Sequence, residues 1–190
     1  MLTYLGAALP RFSSPTARLL ALQCALRADR RGRVHLPCGL LRGMRLAGHA
    51  VPWHELTDAG WLQCYTASGA KRARGGVEAQ LLDATVLAQA SARSDRARAA
   101  HWALRPAPVA VPRQAPVALQ LTALVIAAHT PTAVGSAEAD RLTRLCGLSW
   151  SQLPDLLDRL VHAQLLGGWQ HAVEDAELHW HLPTGEIRTV

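Results

Sequence analysis

The sequence has almost no lysine: of its 20 basic residues, nineteen are arginine and the one lysine is Lys71. With so much alanine and leucine alongside, that ratio is associated with a GC-rich coding genome, and bacterial cytoplasm is the expected compartment. Four cysteines occur in 190 residues, none in a C-x-x-C pair, which argues against a disulfide scaffold or a zinc ribbon. There is no run of about 18 apolar residues, so no conventional membrane span is expected. The opening Met1-Leu2-Thr3-Tyr4 carries no charged stretch ahead of an apolar one, and a cleaved secretory signal is not expected. Signatures of catalysis are absent too: no G-x-x-x-x-G-K-[ST], H-E-x-x-H, G-x-S-x-G or G-x-G-x-x-G. The cysteine and histidine residues stand apart, with no helix N-terminus to activate a thiol. The expectation is a protein that is not an enzyme and has no cofactor.

What is present is enough for a core. Apolar residues make up 49% and charged residues 18%, so the chain does not read as disordered. The length allows one medium domain or two of roughly 70–100 residues. Charge favours two. Residues 1–116 hold 16 basic and 6 acidic residues, a net +10, and residues 117–190 hold 4 and 8, a net −4. A basic part releases counterions from a polyanion, and an acidic part is repelled by one. The plainer alternative is that charge keeps each half soluble. The segment Arg105 to Pro116 has four prolines in twelve residues, so it reads as a stiff, extended connector. Expected domains are 1–105, a linker 106–116, and 117–190.

In the rear half, Pro116 to Ala128 reads as a helix and 130–135 as a loop. Ser136 then caps a second helix, Ala137 to Cys146, with Glu138 and Asp140 in its first turn. After Gly147-Leu148-Ser149 a third helix runs to about Leu166, ended by Gly167-Gly168. Its cap is Ser149, with Gln152 completing a capping box, or Ser151, which is preferred because it puts Pro154 in the first turn. Strands at Trp169–Val173 and Glu177–Leu182 flank Glu174-Asp175.

The front half follows the same plan. Ser14-Pro15 caps a helix from about Thr16 to Asp29, and a short strand covers 32–36. A second helix runs from Pro37 to Leu46, followed by the turn Ala47-Gly48-His49. A third helix, Val51 to Trp61, has Trp53, Leu56 and Ala59 inward. Strands at Trp61–Thr66 and Val77–Leu82 flank a basic loop, and a helix at Ser94–Leu104 leads to the connector. The fold class expected is mainly α with small β-hairpins, an α+β protein.

Leu142 to Ser149, L-T-R-L-C-G-L-S, resembles the turn of bacterial winged-helix regulators of the MarR and GntR kind. So does Leu157 to Trp169, where a third helix runs into a wing, and Leu56 to Leu62 resembles the end of such a helix. The resemblance implies two winged-helix domains in tandem.

Under that reading Lys71, Arg72 and Arg74, set between glycines at a hairpin tip, enter a minor groove or lie along phosphates. The competing reading is a solvated loop tip. Arg42, Arg45, His49 and His54 lie at the turn and start of the third helix, the surface that meets a major groove; the alternative is an exposed helix face. Glu55 and Asp58 repel phosphate if they face it, so either some of these residues point away or docking is wing-dominated. Arg27, Arg30, Arg31 and Arg33 add phosphate contacts or complement a helix C-terminus.

The rear domain, with Glu174, Asp175 and Glu177 on its wing, is expected to hold protein instead, as a homodimer contact or a partner site. Trp150, Trp169 and Trp180 supply its apolar surface, or, for at least two of them, its core. His171, His179 and His181 are candidates for zinc, but a fourth ligand at a usual spacing is missing, so no metal is expected. The function expected is sequence-specific binding of double-stranded DNA as a cytoplasmic, nucleoid-associated transcriptional regulator. Plasmid replication-initiation or segregation proteins, and a winged-helix protein–protein adaptor, are the alternatives; a small-molecule sensor is a further one, though no polar constellation identifies its ligand.

Overall fold

The computed structural model describes residues 1–65, 76–88, 92–172, 174 and 176–183. The chain is α+β and divides into two compact units, Met1–Leu104 and Arg105–Val190. The predicted basic loop residues Lys71, Arg72 and Arg74, and Asp175 of the second hairpin, lie outside the described residues.

Unit 1 opens with α1 (Leu2–Ala8), an element beyond those expected from the sequence, and α2 (Pro15–Arg27). The Ser14 hydroxyl accepts from the Ala17 N–H, and Pro15 sits in the first turn where its missing donor costs nothing. Ten consecutive residues of α2, Ala17 to Leu26, are buried. α2 is therefore the central rod of the unit, packed by its neighbours rather than amphipathic. β1 (Arg33–Pro37) follows, with Val34 and Leu36 facing inward. Then come α3 (Cys38–Gly43), α4 (Val51–Asp58), β2 (Leu62–Cys64), β3 (Gly76–Leu81), α5 (Ala84–Ala88) and α6 (Arg93–Trp102). The antiparallel sheet runs β1-β3-β2. α2 packs against both α4 and α6.

Three front-half expectations change. α3 stops at Gly43 rather than Leu46, because Arg45 takes a left-handed φ of 59° that no helix accommodates. The connection to α4 is therefore residues 44–50, longer than a three-residue turn, although Met44 and Leu46 within it are buried. α4 ends at Asp58, short of Trp61; Gly60, at φ 66°, reverses the chain. Of the three residues expected inward, only Leu56 is fully buried: Trp53 is half-buried and Ala59, past the helix end, is exposed.

Unit 2 contains α7 (Val117–Ala128), β4 (Val134–Glu138), α8 (Ala139–Cys146), a 3₁₀ turn (Trp150–Gln152), α9 (Leu153–His162), β5 (Gly168–Ala172) and β6 (Glu177–His181). Its antiparallel sheet runs β4-β6-β5. β4 replaces the expected loop and the first turn of the second helix. Val-Gly-Ser-Ala-Glu has no apolar alternation, so nothing local marks it as a strand; pairing along β6, from Val134 opposite His181 to Glu138 opposite Glu177, makes it one. Gly135 is the residue that permits this, since a Cβ there would lie 2.5 Å from the His129 carbonyl oxygen and 2.6 Å from the Trp180 indole nitrogen. That indole is buried and donates to Thr130 Oγ1 at 2.7 Å.

The turn before α9 uses the alternative cap. The Ser149 N–H donates to Gln152 Oε1 at 2.9 Å, so Ser149 rather than Ser151 starts the 3₁₀ turn, and Pro154 still falls in the first turn of α9. α9 ends at His162, short of Leu166, and its exit uses Gln164 at φ 57°. Gly167 serves a different need: a Cβ there would sit 2.5 Å from the His181 ring. Of the three tryptophans offered to core or surface, Trp180 is core, Trp169 is half-buried with its N–H on Asp158, and Trp150 is exposed. The proline-rich segment 105–116 is a succession of turns with Val109 completely buried, not a uniformly extended rod.

The two units thus share one order of elements. α2-β1-α3-α4-β2-β3 matches α7-β4-α8-α9-β5-β6, and in each sheet the last strand lies between the other two.

Gly76 starts β3 opposite Pro37, where a Cβ would lie 2.3 Å from the Leu36 carbonyl oxygen. Backbone cannot yield as a side chain does, so Gly76→Ala is expected to cost about 1–3 kcal/mol in urea unfolding. An unchanged midpoint would contradict this packing.

Tyr4 and Asp83 join the first helix of unit 1 to the end of its sheet, the hydroxyl donating to Asp83 Oδ2. Burial, then this bond, raise the Tyr4 hydroxyl above its usual range. Burial alone would raise the Asp83 carboxyl, but the Tyr4 hydroxyl and the Thr85 and Val86 N–H groups overcome it, and the net shift is downward. The stabilisation from Asp83 is complete above the unfolded carboxyl value and is lost as pH falls through the lower folded one. Asp83→Asn is therefore expected to flatten the acid limb of the stability curve below about pH 4; an identical acid limb would exclude the linkage.

Candidate nucleic-acid interface

The stretch from the end of α3 to α4 carries four of the predicted residues. Arg42 lies at the last turn of α3, Arg45 and His49 on the connection, and His54 on α4; all four side chains are exposed. Arg45 takes the left-handed conformation that turns the chain out of α3. On α4 a spacing of three and four puts Val51, His54 and Asp58 on the outer face, all exposed, while Pro52 and Leu56 face the core.

Glu55 lies at the flank of that outer face, and it is turned inward. Its Oε2 accepts from the Ser14 N–H at 2.8 Å and its Oε1 from the Ser14 hydroxyl at 2.8 Å. The same hydroxyl accepts from Ala17 N–H. One serine therefore caps α2 and holds α4 against it, and the carboxylate is occupied within the unit. Asp58 stays exposed at the end of α4. The outer face of α4 itself carries one histidine and no arginine, so cations on this side come from Arg42 and Arg45.

The root of the 66–75 connection is fixed by register. Pro37, the residue preceding α3, pairs with Gly76 at the start of β3. The chain that bears Lys71, Arg72 and Arg74 therefore re-enters the sheet beside the N-terminus of α3.

A second basic group forms at the other end of β1. Arg33 and Pro37 stand four positions apart along the strand, about 13 Å. Arg27, Arg30, Arg31 and Arg33 come together there as the sequence suggested, and Arg93 and Arg96 of α6 join them. Nothing local marks that addition, because α6 lies some sixty residues further along the chain. Most described arginines of unit 1 therefore fall into two groups rather than one surface; Arg11 and Arg98 lie outside both. Arg18 belongs to neither: it is buried, with Nε donating to Ser13 O at 3.2 Å and Nη2 to Pro10 O at 2.8 Å, and it secures the turn before α2.

Contrary to the sequence expectation, one cysteine does stand at a helix N-terminus: Cys38, exposed, is the first residue of α3. Cys24 is completely buried, and burial, then the neighbouring Cys64, push it up; burial also raises Cys64. His171 lies against the Trp150 ring, centroids 4.9 Å apart, while His179 Nε2 is 3.5 Å from Glu177. Among the described residues no group of three or more His, Cys, Asp or Glu is arranged to hold a metal ion. Likewise, among them no helix is long and apolar enough to cross a membrane.

Comparison of the chain with protein-family models, with curated proteins and with solved structures returns no match.

The Ser14–Glu55 contact is expected to couple α2 and α4 energetically. Ser14→Ala and Glu55→Ala are each expected to destabilise by about 1–2 kcal/mol, with a coupling near 1 kcal/mol in a double-mutant cycle by urea unfolding. Additive single effects would show that the two residues do not act as a pair.

Proposed function

We propose that the chain is a tandem winged-helix protein that binds double-stranded DNA through unit 1 and acts as a transcriptional regulator. The resemblance of the sequence to winged-helix regulators is supported by the repeated order helix, strand, helix, helix, strand, strand, and by the central position of the last strand in each sheet. The observation that carries the reading is the inward Glu55. The exposed stretch from Arg42 to His54 has no acidic residue, and with the Glu55 carboxylate turned to Ser14, Asp58 is the carboxylate of α4 that stays on its outer face. Arg42, Arg45, His49 and His54 then approach a major groove, and Lys71, Arg72 and Arg74 the adjacent phosphates or minor groove. The poverty of cations on α4 makes the wing the larger contributor.

Unit 2 takes a protein partner, a second copy of the chain in the simplest case. Glu174 and Glu177 disfavour a polyanion, and Trp150 and Val134 are exposed apolar residues, at 44% and 61%. A homodimer displays two basic wings and reads a two-fold symmetric site.

Duplex affinity should fall with salt at a log–log slope of about −4 to −5, for roughly four to six phosphates neutralised per chain. Changing Lys71, Arg72 and Arg74 together to alanine should lower both affinity and slope. An unchanged slope would remove the wing from the interface. Failure to retain any duplex at low salt would replace this reading with that of a protein–protein adaptor.

A further inference from the structure

The second basic group of unit 1 is a cleft rather than a patch. It has a volume of about 1110 Å³ and lies between the C-terminal end of α2, the outer side of β1 and the first turns of α6. That is as large as a pocket for a ligand of several rings, roughly 300–1,000 Å³. Arg27, Arg30, Arg31, Arg33, Arg93 and Arg96 line it, and Leu26, Val86 and Ala97 give it apolar wall. Two consecutive elements, α2 and β1, meet the sequence-distant α6 there.

The cations are held by a built scaffold. Gln23, completely buried, donates to the Ala100 carbonyl at 3.2 Å and accepts from Arg27 Nε at 3.0 Å, so one amide fixes α6 to α2 and orients Arg27. Arg96 Nη2 donates to the Ala28 carbonyl at 3.1 Å. The Asp29 carboxylate accepts from the N–H groups of Arg31 and Arg33, both at 2.8 Å, and fixes the turn on which Arg30 and Arg31 stand. Those bonds, that of Arg33 first, hold the Asp29 carboxyl below its usual range.

The described lining holds six arginines and one carboxylate. Asp29, 3.5 Å from Arg33 Nε, is the one carboxylate among the residues that line the cleft. Asp95 of α6 pairs with Arg98, which does not line it, while Glu78 faces His35, which does, at 3.9 Å, and brings a second carboxylate to the β1 edge of the cleft. The end of α2 contributes about half a negative charge, and the start of α6 about half a positive one. A large positive excess therefore sits in a concave site, where its field is focused.

We propose that this cleft binds a compact polyphosphate anion, a chain of two or three phosphates either free or carried by a nucleoside. Forked guanidiniums from three directions match the several faces of a short phosphate chain. A duplex backbone is a convex line of single charges, better met by a ridge or loop than by a hollow. The arginines of the cleft gather at the end of β1 away from α3, while its lining continues along β1 through His35 to Pro37, so competition between a small anion and a duplex is one outcome the test must read. The proposal stands on the cleft alone and holds whether or not unit 1 binds DNA.

The test is calorimetric titration of the full chain, without DNA, with tripolyphosphate and with ATP, against sulfate at matched ionic strength. One polyphosphate is expected per chain, with an accompanying rise in Tm, and sulfate at least tenfold weaker. Arg30 and Arg93 are exposed and carry no scaffold bond described above, so the double variant R30A/R93A is expected to keep its fold, checked by its Tm, and to bind at least tenfold more weakly. R30K/R93K keeps the charge without the fork and should fall between. Tighter binding of ATP assigns a nucleoside to the apolar wall; equal binding assigns the phosphate chain alone.

Absence of saturable binding, or an R30A/R93A protein that binds polyphosphate as the parent does, would overturn the proposal. So would loss of polyphosphate binding in K71A/R72A/R74A instead. A duplex affinity reduced tenfold in R30A/R93A, with duplex displacing tripolyphosphate, would make the cleft a DNA contact and not a separate site.

Discussion

Glu55 stands where α4 passes the start of α2, and both its carboxylate oxygens accept hydrogen bonds from Ser14. Much of unit 1 depends on that contact. It ties α4 to the start of α2, it engages the serine that caps α2, and it turns a carboxylate away from the side of α4 that would approach a polyanion. Had Glu55 faced outward beside Asp58, two carboxylates would have flanked a single histidine, and a role in binding phosphate would be hard to sustain. As it is, the same residue serves packing and charge display together.

The two units apply one topology to different surface chemistry. In each, a glycine allows the strand pairing to close: Gly76 against the Leu36 carbonyl, Gly135 against the His129 carbonyl and the Trp180 indole. Around that shared frame, unit 1 carries most of the arginines, while unit 2 carries carboxylates and exposed Trp150 and Val134. The frame says little about activity. What separates the units is which side chains their outward positions bear, and in unit 1 which of the arginines are spent internally, as Arg18 is.

Long apolar segments with punctuation were legible in the sequence: α2 with its Ser14-Pro15 start, α7, α8 and the Leu153, Leu156, Leu157 and Leu160 stripe of α9. The charge division was legible as well, since it needs only counting. β4 was not, because Val134 to Glu138 is made a strand by β6 and not by its own residues. Nor was the end of α3, where Arg45 rather than a glycine takes the left-handed turn. On the candidate surface, the sequence raised the problem of Glu55 but held no sign of its answer, which lies forty residues earlier at Ser14. The cleft was half-legible. Arg27 to Arg33 stand close in sequence, whereas Arg93 and Arg96 join them only through the packing of α6 on α2, which the buried Gln23 secures.

The most direct measurement of the central claim is hydrogen exchange of the full chain with and without a saturating duplex at low salt. The account predicts slowed exchange over residues 42–54 and 66–76, with the strands and helices of unit 2 unchanged apart from any segment that pairs two copies. Protection confined to residues 117–183, or none anywhere on addition of duplex, would contradict it.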